Sequence, residues 1–212
     1  MKRILGMWLM AALLLPVLAH AGFEEGRHYM ALPFPAPVET GDKIEVREFF
    51  WYGCPHCYVL EPALKSWKKK MPKNAQFVHT PGTAPRWMIH GQAYYTFEAM
   101  GVLDKLHEPF FKVMQDKPAA YGDEKTIADF AAAQGVDRRK FTEAFNSFGV
   151  RLKLEKAKQL NQDLNISSVP AIVVDGRYLT TAAMAGGEAQ MLKLLDELIA
   201  KAAKERPKKT AK

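Results

Sequence analysis

The chain places two cysteines, Cys54 and Cys57, between a predicted buried strand and a predicted helix. The strand covers Lys43 to Trp51, whose near-continuous apolar end favours a segment that is covered on both faces. The helix covers Pro55 to about Lys70, where apolar residues recur at spacings of three and four. Pro62 lies inside this helix and should kink it. A buried strand that passes directly into a helix indicates an α/β fold, because such a strand needs helices on both faces of its sheet.

The rest of the chain adds further strands and a long helical block. A second strand is predicted at Ala75 to Thr80, and β-forming residues return at Val169 to Val174. Asp175-Gly176, between that run and Arg177 to Leu179, is a strong hairpin signal. An amphipathic helix follows Gly186-Gly187. The remaining predicted helices, all between the second and third strands, are residues 87–100, 104–114, 124–134, 138–148 and 151–164. This order predicts a mixed sheet that is covered by helices and interrupted once by an all-helical insertion.

Residues with capping preferences mark the expected ends of several of these helices. Asp123 and Asp137 stand at N-cap positions, where a carboxylate can accept a hydrogen bond from the first turn. Gly101, Gly135 and Gly149 stand just beyond expected helix ends, where glycine easily adopts a left-handed backbone conformation.

The first 21 residues have the organisation of a cleaved signal peptide. Lys2 and Arg3 form a positive start, Ile4 to Leu18 is mostly apolar, and Ala19-His20-Ala21 fits a small-residue cleavage site. The apolar run is shorter than the roughly 20 residues that cross a bilayer. We therefore expect an exported, soluble mature chain that begins at Gly22.

Much of the formal net charge of +7 lies at the end of the chain. In the last twelve residues, several lysines and one arginine outweigh the single acidic residue, Glu205. Pro207 argues against a continuing helix. We interpret residues 201–212 as a solvated basic tail, and not as a contact for nucleic acid or anionic lipid, since export separates the protein from nucleic acid.

Two cysteines this close together are poorly suited to stabilising an exported fold. In the chain-entropy picture, a bridge that closes about four residues contributes roughly 2 kcal/mol at best. Such a bridge opens and closes without disturbing the rest of the fold, which suits a redox function. A structural zinc site or an incidental bridge is the alternative. Zinc normally needs four protein ligands, and His79, His90 and His107 lie in separate segments, so we predict no metal site.

The position of Cys54 at a helix start favours its thiolate. The first turn carries unpaired N–H groups and a partial positive charge, which lower the pKa of a thiol. We therefore predict that Cys54 is the exposed nucleophile. Cys57, three residues further on, is then the more buried thiol that resolves a mixed disulfide. His56 can present a second positive or hydrogen-bonding group to Cys54, and Pro55 occupies the first turn, where proline is tolerated.

Together these motifs resemble the bacterial DsbA family. The matching residues are Glu48-Phe49-Phe50, then Cys54-Pro55-His56-Cys57 after three residues, and Val169-Pro170 ahead of a strand. The resemblance spans nearly all of the mature chain and implies a thioredoxin-like α/β fold with a mixed central sheet. The predicted division is residues 22–80 and 165–200 for the two parts of the thioredoxin-like domain, 81–164 for the all-helical insertion and 201–212 for the tail.

The resemblance also implies roles for residues outside the cysteine motif. It makes Val169–Pro170 a cis peptide bond beside the disulfide, with the Val169 backbone turned toward a bound peptide substrate. Glu48 corresponds to the family's buried acid, which can exchange a proton with Cys57, and a satisfied salt bridge is the alternative. For Glu61, which corresponds to a second carboxylate, we favour the salt bridge.

The function that the resemblance implies is that of a dithiol oxidase. An oxidised Cys54–Cys57 pair would accept electrons from a reduced, unfolded secreted polypeptide through a mixed disulfide at Cys54. A membrane quinone-linked partner of the DsbB type would then reoxidise the pair. The resemblance further implies a periplasmic monomer that needs no cofactor besides its own disulfide.

Two alternative functions remain open. A disulfide reductase or isomerase would use the same fold with the opposite electron flow, although an isomerase of the DsbC kind carries an N-terminal dimerisation domain and only about 20 mature residues precede the first strand here. A peptide-binding chaperone, in which the disulfide is incidental, belongs to a different class. A variant with both cysteines replaced by serine would keep full activity only in a chaperone.

Overall fold

The computed structural model describes residues 22–206 and places their strands in one mixed sheet. The strands are β1 (Met30–Ala31), β2 (Ile44–Phe50), β3 (Ala75–Pro81), β4 (Ala171–Val174) and β5 (Tyr178–Thr180). Their order across the sheet is β1-β5-β4-β2-β3. β2 pairs with β3 in parallel and with β4 in antiparallel orientation, and β5 is antiparallel to both β4 and β1. The central strand β2 is buried along its whole length, as its sequence predicts.

Helices surround this sheet, and most of them lie between β3 and β4. The helices are α1 (Pro55–Lys68), α2 (Met88–Ala99), α3 (Leu103–Asp116), α4 (Glu124–Ala133), α5 (Arg138–Phe145), α6 (Phe148–Asp163), α7 (Ala182–Ala185) and α8 (Glu188–Glu205). A 3-10 turn, Pro118–Tyr121, follows α3. The segment where the sequence predicts an insertion is therefore helical. Among residues 22–206, no helix is both long enough and apolar enough to span a membrane.

The expected helix caps are mostly present. The carboxylates of Asp123 and Asp137 each accept a hydrogen bond at 2.8 Å from a backbone N–H three residues further on. Gly101 and Gly135 follow helix ends with φ values of 67° and 77°. These caps confirm that local sequence fixes where α2, α4 and α5 begin or end.

The predicted helix boundary at Gly149 is wrong. The side chain of Ser147 accepts a hydrogen bond from the Val150 N–H at 3.3 Å, so α6 begins at the next residue and Gly149 lies in its first turn. A serine N-cap competes successfully with the tendency of glycine to end a helix. Pro62 lies inside α1, where the sequence places it.

The predicted basic tail begins too early. α8 continues to Glu205, and Ala202 is fully buried in the core. Arg206 Nε donates hydrogen bonds to both carboxylate oxygens of Asp175 at 3.1 Å. The start of the expected tail is therefore part of the fold. Residues 207–212, like the expected signal peptide at residues 1–21, lie outside the described part of the chain.

Apolar packing fixes α1 against β2. Val46 of β2 belongs to the same buried cluster as Leu60 of α1. Phe50, at the end of β2, belongs to a second cluster that contains Cys57 and much of the helical insertion. Because successive side chains of a strand point to opposite faces, Glu48 lies on the same face of β2 as Val46, beneath α1.

Candidate active site

The Cys54–Cys57 motif occupies the start of α1. Cys54 is the N-cap residue, with φ −88° and ψ 114°, and its Sγ accepts a hydrogen bond from the backbone N–H of Cys57 at 3.3 Å. Pro55 takes the first helical position, where an N–H would have no intrahelical partner. Both cysteines are free thiols. The local sequence thus places the Cys54 sulfur at the N-terminus of α1, where helix N–H groups are free to bind it.

Cys54 is less accessible than the sequence predicts. The residue is 6% exposed, whereas Cys57 is 0% exposed. Cys54 is the more exposed of the two cysteines, as predicted, but the segment before β4 partly covers it. Its thiol donates to the carbonyl oxygen of Val169, with Sγ at 3.4 Å from that oxygen. Only a small part of Cys54 therefore meets solvent.

The surroundings of Cys54 favour its thiolate. The Cys57 side chain donates a hydrogen bond to Cys54, and this bond is the largest of the effects that lower the pKa of Cys54. The backbone N–H groups of Cys57 and His56 and the charge of His56 lower it further. Burial raises the pKa, but the net result is a value of about 6. For Cys57, burial and the interaction with Cys54 raise the pKa far above its ordinary value. A thiol with a pKa of about 6 is about 90% ionised at pH 7. The two thiols therefore differ as an attacking and a resolving thiol must differ.

Aromatic packing that the sequence pattern does not reveal holds the loop before the first cysteine. Trp51 stacks on Trp87 with ring centroids 4.9 Å apart and planes 13° from parallel. The indole N–H of Trp51 donates to Nδ1 of His90 at 2.9 Å. A Cβ atom at Gly53 would come within 2.4 Å of the Trp51 ring. Glycine is therefore required next to the motif, and His90 has a structural role in the loop.

Glu48 is buried beneath the motif. It is 1% exposed, and its Oε2 has no hydrogen-bond partner among the described residues. The same oxygen lies 3.4 Å from Nε2 of His79. Burial, followed by the negative charge of Glu61, raises the pKa of Glu48 well above its ordinary value. Because burial lowers the pKa of His79 to about 4, this contact lacks the positive charge of a salt bridge at pH 7, which is the alternative that the sequence left open.

Glu61 is partnered, as we favoured from the sequence, but its partners are two histidines. Nε2 of His79 and Nε2 of His107 each donate to Oε1 of Glu61 at 3.3 Å. Burial raises the pKa of Glu61, but the hydrogen bonds from His107 and His79 outweigh it and hold the pKa below its ordinary value. Burial also lowers the pKa of His79 to about 4. The sequence argument that kept these histidines apart is wrong, because β3 and α3 bring them together beside α1.

A groove opens next to the cysteine motif on the side that leads to β4. The cavity there has a volume of about 730 Å³, and His56, Val169 and Pro170 are among the residues that line it. The Val169–Pro170 peptide bond is cis, as the resemblance implies. Near the same end of α1, Tyr58 and Val59 are 36% and 59% exposed. The residues that the sequence singled out thus meet around one sulfur and one groove.

Known proteins are similar to this chain in sequence and in fold. Residues 90–199 match the family model of the DSBA-like thioredoxin domain. The thiol:disulfide interchange protein DsbA of Pseudomonas aeruginosa is 40% identical over 180 residues, which are 84% of this chain and 85% of that protein. The DsbA of Azotobacter vinelandii is 40% identical over 183 residues, 86% of each chain. The crystal structure of Pseudomonas aeruginosa DsbA matches with a TM-score of 0.81 at 40% identity, covering 86% of this chain and 97% of that one.

These similarities confirm the predicted thioredoxin-like fold, with its mixed sheet and its added helices. They extend over most of the chain, and so include both the cysteine motif and the helical segment. The chain therefore belongs to the DsbA family of thiol:disulfide interchange proteins.

Proposed function

We propose that this protein is a dithiol oxidase that donates its Cys54–Cys57 disulfide to reduced, unfolded polypeptides. Membership of the DsbA family makes it a thiol:disulfide oxidoreductase. The direction of electron flow rests on the unequal thiols, since the pKa of Cys54 is lowered to about 6. Stabilising the thiolate stabilises the reduced form of the pair, and a couple with a stable reduced form is a strong oxidant.

The reaction starts from the oxidised pair. A client thiolate attacks Sγ of Cys54, the bond between Cys54 and Cys57 breaks, and its electron pair passes to the Cys57 sulfur, which takes up a proton. A second client thiolate then attacks the client sulfur of the mixed disulfide. This step forms the client disulfide and releases the Cys54 thiolate, a good leaving group because the pKa of Cys54 is low. The client loses two electrons and the cysteine pair gains them.

Glu48 supplies the proton that Cys57 takes up and accepts it again when the pair is reoxidised. Burial favours the protonated carboxyl by raising the pKa of Glu48, and Oε2 has no competing hydrogen bond among the described residues. Once Glu48 has given up this proton, its negative charge helps to raise the pKa of Cys57. A proton carrier of this kind spares Cys57 from holding an unpaired buried charge.

Val169 and Pro170 position the client beside the reactive sulfur. The Val169 carbonyl oxygen is 3.4 Å from Cys54 Sγ, so a peptide that pairs with the backbone here lies next to that sulfur. Backbone pairing of this type accepts any client sequence. The exposed side chains of Tyr58 and Val59 add an apolar surface that suits unfolded chains.

The reduced pair must pass its two electrons on before the next cycle. A membrane quinone-linked partner of the DsbB type would accept them through a second mixed disulfide at Cys54. The signal-peptide pattern of residues 1–21 supports export to the periplasm, where such a partner and reduced secreted chains would meet. The protein would act as a monomer with no cofactor besides its disulfide, because the cysteine pair itself carries both electrons.

Mixing the oxidised protein with a reduced, unfolded polypeptide that contains two cysteines tests this function. The expected result is one client disulfide formed for each Cys54–Cys57 pair reduced, with a transient mixed disulfide at Cys54. The Cys54→Ser/Cys57→Ser variant is the control and should form none. Equal assistance to client refolding by this variant would instead support the chaperone, and failure to oxidise the client would support the reductase.

A further inference from the structure

Three potential metal ligands meet at one point outside the cysteine pair. Glu61, His79 and His107 each offer one ligand atom, and these three atoms lie within 4.8 Å of one another. They come from three elements, α1, β3 and α3, each fixed by core packing. Two imidazoles and one carboxylate form a donor set that suits zinc, because imidazole is a poor ligand for magnesium or calcium.

The distances from Oε1 of Glu61 to the two imidazole nitrogens fit a tetrahedral ion. Zinc binds imidazole nitrogen and carboxylate oxygen at about 2.0–2.2 Å, so two ligand atoms at a tetrahedral angle lie about 3.3–3.6 Å apart. Both Nε2 atoms are 3.3 Å from Oε1 of Glu61. One ion could therefore take the place of the two imidazole protons at this carboxylate oxygen.

The surroundings of the three ligands resemble those of a bound metal. Nδ1 of His107 lies 2.8 Å from the hydroxyl of Tyr52, and metal-binding histidines usually hold their second nitrogen in such a hydrogen bond. Oε2 of Glu48, 3.4 Å from Nε2 of His79, is fully buried and has no hydrogen bond within the described chain. A buried oxygen without a hydrogen bond at the edge of the cluster is a second, independent sign that a water molecule or an ion binds here.

An ion could reach this cluster from solvent. A cavity of about 330 Å³ is lined by the three ligands and also by Lys65 and Glu108, whose side chains are 64% and 77% exposed. Lys65 pairs with Glu108 at 3.0 Å, and Nζ of Lys68 lies over the Phe77 ring at 4.8 Å. Glu108 therefore offsets the charge of Lys65 and reduces its repulsion of a cation, whereas Lys68 keeps a charge that acts on His79.

We propose that Glu61, His79 and His107 bind one Zn²⁺ ion, with water as the fourth ligand. The site is separate from the dithiol, because its ligands include neither cysteine. Glu61 lies one helical turn beyond Cys57 on α1, so the ion would sit close to the redox pair without taking part in disulfide transfer.

A zinc titration tests the proposal if the cysteines are first removed as competing ligands. Two suitable backgrounds are the oxidised protein and the Cys54→Ser/Cys57→Ser variant. Each is titrated with Zn²⁺ alone against a chromophoric chelator, and its melting temperature is followed as free zinc rises. We expect one Zn²⁺ per chain in both backgrounds and a melting temperature that increases with zinc, because a ligand of the folded state stabilises it.

Single substitutions then assign the ion to its ligands. Glu61→Gln and His107→Gln should each weaken zinc binding by at least about 10-fold, and His79→Gln should do the same if this more buried variant folds. His28→Gln is the matched control, since it removes an imidazole outside the cluster and should bind zinc normally. Absence of saturable binding in both backgrounds, or equal binding by His107→Gln and His28→Gln, would overturn the proposal.

Discussion

Sγ of Cys54 lies 3.4 Å from the carbonyl oxygen of Val169, a residue 115 positions further along the chain. This contact joins the start of α1 to the segment that leads into β4. The reactive sulfur and the groove for the client therefore share one boundary. A client that pairs with the Val169 backbone presents its own sulfur to Cys54 and not to Cys57.

Iodoacetamide should modify Cys54 and spare Cys57 in the reduced protein at pH 7. The thiolate is the reactive form, and the pKa is lowered to about 6 for Cys54 but raised for Cys57. The labelling rate should rise with pH around 6 and then level off. Fragment-ion mass spectrometry separates the two positions, and Cys54→Ser is the control that should lose the label. Modification mainly at Cys57 would contradict the assignment.

Replacing His56 with serine should raise the pKa of Cys54 and make the protein a weaker oxidant. The charge of His56 is the last of the contributions that lower this pKa, and the backbone N–H of residue 56 remains in the variant. We therefore expect a rise of at most about one pH unit, the lower end of what a nearby opposite charge produces. Thiolate absorbance near 240 nm as a function of pH measures the change. An unchanged titration in His56→Ser would show that this side chain does not tune Cys54.

Glu48→Gln should slow proton transfer at Cys57 while leaving alkylation of Cys54 nearly unchanged. The amide keeps the shape of the carboxyl but cannot carry the proton. Stopped-flow kinetics measures the rate of each disulfide exchange step in Glu48→Gln. We expect only the steps in which the Cys57 sulfur attacks or leaves to become slower.

Glu45→Gln is the contrasting variant for this experiment. Glu45 accepts a hydrogen bond from Nε of Arg47 at 2.7 Å in a buried ion pair. Losing this ion pair should lower the free energy of unfolding by about 3 kcal/mol but leave the rates of disulfide exchange unchanged. If Glu48→Gln also lowers only the stability, Glu48 is a structural residue and not a proton carrier.

The reduced protein should be more stable than the oxidised protein at neutral pH, and this advantage should grow as the pH rises. The pKa of Cys54 is lowered from an ordinary 9.0 to about 6 in the folded state, so ionisation stabilises the fold. The contribution is fully present only above the unfolded pKa near 9 and is lost as the pH falls through about 6. The raised pKa of Cys57 opposes this stabilisation only when the pH exceeds the ordinary pKa of a thiol.

Urea denaturation of both forms at pH 5, 7 and 8.5 measures this difference. The midpoint of the reduced form should move upward relative to that of the oxidised form over this series. A difference that stays constant with pH would show that the Cys54 thiolate does not contribute to stability.

The part of the site that carries the cysteines could be predicted from the sequence because its determinants are local. The N-cap position of Cys54, the first helical position of Pro55 and the first-turn position of Cys57 depend on neighbours within one helical turn. Val169 and Pro170 could be assigned only through the family resemblance, because no local pattern draws a segment so distant in sequence to this sulfur.

The cluster of Glu61, His79 and His107 could not be predicted from sequence spacing. Glu61 is separated from His79 by 18 positions and from His107 by 46. His79 reaches the site because β3 pairs with β2 in the register that sets it beside Glu48. Strand register and helix packing depend on the whole core, so they cannot be predicted from the periodic pattern of one segment.

The reduction potential of the Cys54–Cys57 pair tests the central claim most directly. Equilibrating the protein in glutathione buffers of known composition and measuring the fraction of each form gives this potential. If the thiolate of Cys54 is stabilised as the geometry indicates, the potential should lie above about −180 mV, in the range of strong dithiol oxidants. A potential below about −220 mV, the range of glutaredoxins and thioredoxins, would contradict the oxidase and indicate a reductase.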